Sequence, residues 1–159
     1  MVSFNSAAPA ESSTGRPGLA RAAVASPLDK AADRCLRVFL VEDSVSLRER
    51  LGDFLSEPGK IEMIGFAATE TDAVRELSSQ AVDVAIVDLN LKEGTGLGVI
   101  ESIRSQHAKS PPTIIVLTNY AFPEFEAACL ERGADYFFDK STQFGAVKVL
   151  LQSIRRGEH

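Results

Sequence analysis

Three carboxylates, a hydroxyl and an ammonium group follow four apolar segments of this sequence. Glu42 and Asp43 come directly after the first segment, Asp88 and Thr118 follow two later ones, and Lys140 follows the last after one intervening residue. Crowded carboxylates raise one another's pKa unless a cation lies between them. Oxygen ligands without a nearby histidine or cysteine favour a hard ion such as Mg²⁺, which binds carboxylates, water and phosphate oxygens. The sequence therefore predicts a Mg²⁺ site.

The segments that position these residues alternate between two hydrophobic periods. Short β-branched and aromatic runs predict strands over residues 36–41, 61–66, 82–87, 113–117 and 136–138. A helical period follows each strand, with Ser44 and Thr69 as N-caps, Pro123 starting the fourth helix and Gly133 ending it. Because each right-handed crossover returns the chain to the same edge, the predicted fold is α/β, a doubly wound five-stranded parallel sheet.

The strand order decides whether the polar groups meet. In open α/β sheets, ligands bind beyond the carboxyl ends of the strands, near the point where the strand order reverses. In the order 2-1-3-4-5, the four strands with polar ends are neighbours. Asp, Glu and Thr are common turn and cap residues, so any one of them alone is more often structural. Their presence together at one edge favours a functional site.

Composition excludes several classes of protein. Lys and Arg number 17 against 22 Asp and Glu, giving a net charge of −5 on a chain that is 45% hydrophobic. Without a cluster of basic residues, direct nucleic-acid binding is not expected. No apolar run is long enough to insert into a membrane, so the predicted location is the cytoplasm. Cys35 and Cys129 lack metal-ligand spacing and are interpreted as buried apolar residues.

The first 34 residues differ from the rest of the chain. They contain three of the seven prolines, many Ala and Ser residues, and few large apolar side chains. Such a segment buries too little apolar surface to offset its ordering entropy. The prediction is a disordered N-terminal tail over residues 1–34 and one folded domain over residues 35–156.

Four segments in this order and spacing resemble the receiver domain of two-component response regulators. They are VFLVEDS, AIVDLNLKEGTG, IIVLTN and GADYFFDKS, and the resemblance extends over about residues 36–155. It implies a flavodoxin-like, CheY-like (βα)5 fold. It also implies that Asp88 accepts a phosphoryl group from a sensor histidine kinase or a histidine phosphotransfer protein. Mg²⁺ would then be held by Glu42, Asp43, Asp88 and the backbone carbonyl of Asn90.

The resemblance also implies how phosphorylation is read out. Thr118 and Lys140 would bind the phosphoryl oxygens, and Phe137 matches the switch aromatic that turns inward when Thr118 moves. Tyr136 is the neighbouring candidate, but adjacent strand residues point to opposite faces, so only one can serve. Phosphorylation would change the surface of the fourth helix, fifth strand and fifth helix. A homodimer through this surface is left open.

Three positions depart from the family's usual pattern. Ser141 follows Lys140 where proline is usual, which leaves open whether the peptide bond between them is cis. Lys92 occupies a loop position that is often proline. Asn119 stands where a small residue is usual and is expected to restrict access of water and small phosphodonors to Asp88. This predicts slow uptake from small donors and a long-lived phosphoryl group.

The functional prediction is a stand-alone receiver that acts through protein contacts or phosphorelay. The chain ends soon after the fifth predicted helix, so no output domain and no enzymatic activity beyond its own phosphorylation and dephosphorylation are expected. A phosphate-independent binding module with the same fold is the alternative. A haloacid-dehalogenase-like phosphohydrolase is disfavoured because Asn90 cannot act as an acid or base. A nucleotide-binding domain is disfavoured because VFLVEDSVS contains no glycine.

Overall fold

The computed structural model describes residues 34–158, which form a five-stranded parallel sheet with helices on both faces. The strands are β1 (Leu36–Val41), β2 (Ile61–Ala67), β3 (Val84–Val87), β4 (Thr113–Thr118) and β5 (Tyr136–Asp139). The helices are α1 (Val45–Leu55), α2 (Glu70–Ser79), α3 (Gly96–Gln106), α4 (Pro123–Glu131) and α5 (Phe144–Arg155). Apart from Arg34, the predicted tail lies outside the described residues.

The strand order is β2-β1-β3-β4-β5, and every neighbouring pair is parallel. The predicted fold class and strand order are confirmed. The chain reverses direction across the sheet between β2 and β3, which both lie beside β1. This places the reversal at the carboxyl end of β1, where Glu42 and Asp43 follow. Of the helices in residues 34–158, none is both long and apolar enough to span a bilayer.

The predicted helix starts are present. The Ser44 side chain accepts a hydrogen bond from Leu47 N–H, and the Thr69 side chain accepts one from Asp72 N–H. Helix α4 begins at Pro123. These caps satisfy backbone donors that the first turn leaves free. The predicted strand over residues 82–87 is shorter at its start.

The shortening of β3 has a local cause. Arg37 N–H donates to the Asp83 carboxylate at 2.8 Å, and the pairing between β1 and β3 starts at Val38 and Val84. A side chain thus takes a backbone donor that the strand ladder would otherwise use.

Two hydrophobic clusters hold the helices on the sheet, because side chains of one strand alternate between its faces. One cluster lies beneath α2, α3 and α4, and its largest fully buried members are Phe39, Ile100, Ile103 and Ile114. The other lies beneath α1 and α5 and includes Leu51, Leu55, Ile86, Ile115 and Leu151. The sheet is therefore covered on both faces, and its functional groups emerge at the strand ends.

The two cysteines differ in environment. Cys129 is the residue that α4 buries, and burial raises the pKa of its thiol to about 11. Cys35 is partly exposed just before β1, so the prediction of burial is wrong for that residue. It precedes the first residue of the core, Leu36, and lies at the end of the sheet where solvent reaches the chain.

Candidate functional site

The backbone hydrogen bonds of the sheet continue past the strand ends into the candidate site. Asp88 N–H donates to the carbonyl of Val41 at 3.0 Å, and Lys140 N–H donates to the carbonyl of Thr118 at 2.9 Å. Glu42 N–H donates to the last residue of β2 at 2.9 Å. The main chains of Glu42, Asp88 and Lys140 are thus held by the neighbouring strands, so the sheet register determines where these side chains start.

A buried ammonium joins two buried carboxylates. Lys140 Nζ lies 2.6 Å from Glu42 Oε2 and 2.9 Å from Asp88 Oδ2. The three side chains are 7%, 3% and 10% exposed, respectively. Hydrogen bonds between charged partners are stronger than neutral ones, and burial strengthens them further. Lys140 therefore links the ends of β1 and β3 from the loop after β5.

Burial and pairing act in opposite directions on these groups. Burial raises the pKa of the Glu42 carboxyl, and hydrogen bonds from Lys140 and Ser44 N–H only partly offset it. Burial alone lowers the pKa of the Lys140 ammonium. Its hydrogen bonds to Glu42 and Asp88 outweigh that effect and leave the pKa raised. Lys140 therefore remains charged at neutral pH.

The carboxylate group of the site fits a divalent cation. Carboxylate oxygens of Glu42, Asp43 and Asp88 lie within 4.8 Å of one another. Three carboxylates and the Lys140 ammonium give the cluster a formal charge of −2, which Mg²⁺ would neutralise. Within residues 34–158, no hydrogen bond or ion pair involves the Asp43 carboxylate. The set is all oxygen, as Mg²⁺ prefers.

Thr118 presents a hydroxyl that can donate a hydrogen bond. The residue is fully buried at the end of β4, and its Oγ1 accepts a hydrogen bond from Tyr120 N–H at 3.2 Å. Because a hydroxyl both donates and accepts, this bond leaves the Thr118 proton for another acceptor. Asn119, next in the chain, is exposed.

Phe137 and Tyr136 lie on opposite faces of the sheet. Phe137 packs against the cluster beneath α2, α3 and α4, whereas Tyr136 packs against the cluster beneath α1 and α5. Phe137 pairs with Val116, which shares its face of β4 with Thr118 two residues later. Phe137, and not Tyr136, is therefore on the side of the sheet where Thr118 points.

Hydrogen bonds from Ser141, rather than a proline, fix the backbone after Lys140. Ser141 donates to Asp139 Oδ1 from both its backbone N–H, at 2.8 Å, and its hydroxyl, at 2.6 Å. These hydrogen bonds lower the pKa of the Asp139 carboxyl. Among residues 34–158 no peptide bond is cis, so the bond between Lys140 and Ser141 is trans. Proline at position 141 would lack the N–H that donates to Asp139.

Sequence reasoning missed the contact of Arg48 with the site. Arg48 Nη1 donates to the backbone carbonyl of Glu42 at 3.1 Å, and its guanidinium lies 4.2 Å from the centroid of the Phe66 ring. The contact ties α1 to the end of β1. No sequence signal distinguishes Arg48 from Arg50, the other basic residue of α1, because the contact depends on how the helix returns over the sheet.

Gly96 allows α3 to start directly against the main chain of Asp88. A Cβ at this position would lie 2.2 Å from the Asp88 carbonyl oxygen and 2.8 Å from Leu89 Cα. We expect Gly96→Ala to lower the free energy of unfolding by about 1–3 kcal/mol, because backbone atoms cannot rotate away. Urea unfolding followed by circular dichroism measures this change.

Gly52→Ala is the matched control for that variant. Gly52 lies inside α1 with no atom within 4 Å of a new Cβ. Alanine there should raise stability by about 0.5–1 kcal/mol, since glycine is the weaker helix former. Equal unfolding midpoints for Gly96→Ala and the unmodified protein would contradict the steric argument.

A family model described as a response regulator receiver domain matches residues 38–152. A protein-glutamate methylesterase/protein-glutamine glutaminase of Rhodopseudomonas palustris is 30% identical over 115 residues, covering 72% of this chain and 28% of that protein. The transcriptional regulatory protein DesR of Bacillus subtilis is 26% identical over 123 residues, covering 77% of this chain and 60% of that protein. The chain thus spans less than two thirds of these curated relatives.

Solved structures show the same similarity. The response regulator domain of Thermotoga maritima CheB matches with a TM-score of 0.66 and 25% identity, covering 79% of this chain and 96% of that one. A receiver domain of NarL from Mycobacterium tuberculosis matches with a TM-score of 0.69 and 22% identity, covering 78% and 98%. The second likeness concerns the fold alone.

Proposed function

The chain belongs to the response regulator receiver domain family of two-component signalling, and on that premise we propose that Asp88 is its phosphoryl acceptor. The donor is a phosphohistidine of a sensor histidine kinase or a histidine phosphotransfer protein. The single observation that carries the proposal is the buried contact of Lys140 with both Asp88 and Glu42, beside an Asp43 carboxylate that makes no hydrogen bond or ion pair within residues 34–158.

In this reaction an Asp88 carboxylate oxygen attacks phosphorus in line with the phosphohistidine. An oxygen–phosphorus bond forms, the phosphorus–nitrogen bond breaks, and the electron pair returns to the histidine. Lys140 stays charged and moves its hydrogen bond from the carboxylate to a phosphoryl oxygen. The Thr118 hydroxyl donates to a second phosphoryl oxygen. The product is an aspartyl phosphate.

The acidic side chains fit the ion that this chemistry uses. Asp43 and Asp88 would hold Mg²⁺, with Glu42 and the backbone carbonyl of Asn90 completing the protein ligands. Bound Mg²⁺ supplies positive charge beside the phosphoryl oxygens. Without Mg²⁺, the Lys140 ammonium supplies positive charge to the carboxylate cluster.

The phosphoryl group is proposed to act through the surface of α4, β5 and α5. Thr118 and Phe137 share one face of the sheet, so movement of the threonine opens or closes space for the ring. α4 exposes Phe125 and Leu130 and is preceded by exposed Phe122. A surface of this kind is suited to contact a protein partner. The output is accordingly a phosphorylation-controlled protein contact or transfer to a phosphotransfer protein in the cytoplasm.

Intact-mass measurement tests the proposal. The protein contains no Trp, so tryptophan fluorescence cannot report the reaction. Incubation with Mg²⁺ and phosphoramidate, or with a phosphorylated histidine kinase, should add one base-labile phosphoryl group, and EDTA should prevent the addition. No added mass from either donor would overturn the proposal and favour a phosphate-independent binding module.

Asn119 is proposed to limit access to Asp88. Asn119→Ala should accelerate both uptake from phosphoramidate and spontaneous loss by about fivefold, which corresponds to a barrier about 1 kcal/mol lower. Time courses of intact mass measure both rates. Asn119→Gln keeps the amide and adds bulk, so it should slow them. Unchanged rates in Asn119→Ala would remove this role.

The stand-alone arrangement is a separate prediction. Immunoblotting of the source cells with an antibody to the folded domain should show a band near the 17.1 kDa mass of this chain. A larger band would show that the receiver is joined to another domain.

A further inference from the structure

The loop that carries Asn90 is attached to α2 through one acidic residue. We name residues 89–95, between β3 and α3, the acceptor loop. Glu70, the first residue of α2, donates its N–H to the carbonyl of Glu93 at 3.0 Å. Its carboxylate Oε2 accepts the N–H of Thr95 at 2.8 Å. Glu70 thus binds the end of the acceptor loop with both its backbone and its side chain.

The same end of the loop lies against the phosphoryl site. Asn90 and Thr95 form an antiparallel β-bridge, and Gly96 N–H donates to the carbonyl of Leu89 at 3.0 Å. The two ends of the acceptor loop are therefore closed on each other directly after Asp88. Because Thr95 pairs with Asn90, a displacement of the Thr95 backbone is transmitted to the Asn90 backbone.

Two glycines create the space that the Glu70 side chain occupies. A Cβ at Gly98 would lie 2.1 Å from Glu70 Oε1, and a Cβ at Gly94 would lie 2.4 Å from Glu70 Cβ. Gly94 also has φ of +80°, where residues with a Cβ are strained. The carboxylate also lies at the start of α3, where a negative charge interacts favourably with the helix dipole.

We propose that Glu70 is a positioning residue for the metal and phosphoryl site. It acts through the acceptor loop: its carboxylate holds Thr95, Thr95 holds Asn90, and the Asn90 carbonyl is thereby kept at the carboxylate cluster. The inference rests on the proposed function and extends it to a residue outside the cluster. A loop held in place before the ion binds loses less entropy on binding.

Mg²⁺ titrations of three variants test this role. The NMR chemical shifts of the Asp88 and Asn90 amides give the Mg²⁺ affinity of each variant. Glu70→Ala should weaken Mg²⁺ binding about tenfold, as loss of a group that supports a metal ligand does. Gly98→Ala should also weaken Mg²⁺ binding, because the new methyl group displaces the Glu70 carboxylate. Glu70→Gln should stay within about twofold of the unmodified protein, since its amide oxygen still accepts Thr95 N–H.

Hydrogen exchange supplies a readout that does not depend on Mg²⁺. The Thr95 amide should exchange faster in Glu70→Ala and keep its protection in Glu70→Gln. Glu76→Ala is the matched control, because Glu76 is an acid of α2 whose described ion pair is with the exposed Arg75. It should change neither measurement.

The possible results separate this inference from the proposed function. The positioning role is overturned if Glu70→Ala binds Mg²⁺ as tightly as the unmodified protein, or if Glu70→Gln loses Mg²⁺ affinity. Either result leaves Asp88 as the candidate acceptor. If the unmodified protein takes up no phosphoryl group but Mg²⁺ binding depends on Glu70, the proposed function fails and the positioning role stands.

Discussion

An Asp88→Asn variant is expected to gain no phosphoryl group from phosphoramidate or from a phosphorylated kinase. The amide is isosteric with the carboxylate but lacks the nucleophilic oxygen that forms the acyl phosphate. The loss should be complete, because no other group supplies the same geometry at the end of β3. Intact mass after incubation with Mg²⁺ measures the outcome directly.

Asp53→Asn is the control for a change of Asp to Asn in the same protein. Asp53 is exposed on α1, away from the carboxylate cluster, so this variant should be phosphorylated like the unmodified chain. A base-labile adduct that persists in Asp88→Asn would place the acceptor elsewhere, and peptide mapping would then distinguish Asp43 from other carboxylates. Circular dichroism of both variants establishes that they are folded.

A Lys140→Met variant is expected to lose about 3–5 kcal/mol of unfolding free energy in the presence of EDTA. Methionine keeps most of the side-chain length but leaves Glu42 and Asp88 buried without their shared cation, and removal of one partner of a buried ion pair costs about this much. The side chain of Lys140 is 7% exposed, so little screening by water reduces the effect.

Mg²⁺ should partly reverse this loss. The ion supplies the positive charge that the variant lacks, so Mg²⁺ should raise the stability of Lys140→Met more than that of the unmodified protein. Urea unfolding followed by circular dichroism, with EDTA or with Mg²⁺, measures both effects.

Lys148→Met is the matched lysine control. Lys148 lies on α5, where it donates to the carbonyl of Phe54 at 2.9 Å in a more exposed position. Its loss should cost less than about 1 kcal/mol. A Lys140→Met variant no less stable than this control would show that the buried cluster does not depend on the ammonium.

Much of the fold and of the site composition could be derived from local sequence. Hydrophobic period separates strands from helices, and Ser44, Thr69 and Pro123 mark helix starts because capping involves neighbouring residues. Five parallel strands joined by right-handed crossovers leave few arrangements, and in the predicted order 2-1-3-4-5 the strands with polar ends are neighbours. The types of the cluster residues then indicate an oxygen-ligand metal site.

The contacts that connect the site depend on the tertiary structure. Nothing in local spacing indicates that Lys140 binds Glu42 as well as Asp88, or that Glu70 reaches Thr95. These contacts join residues from separate strand–helix units, and loop paths and side-chain rotamers decide them. The sequence by itself determined which groups reach one edge of the sheet, because period and capping are local. Only the tertiary structure decided which groups touch, because hydrogen bonds depend on distances of a few tenths of an ångström between distant parts of the chain.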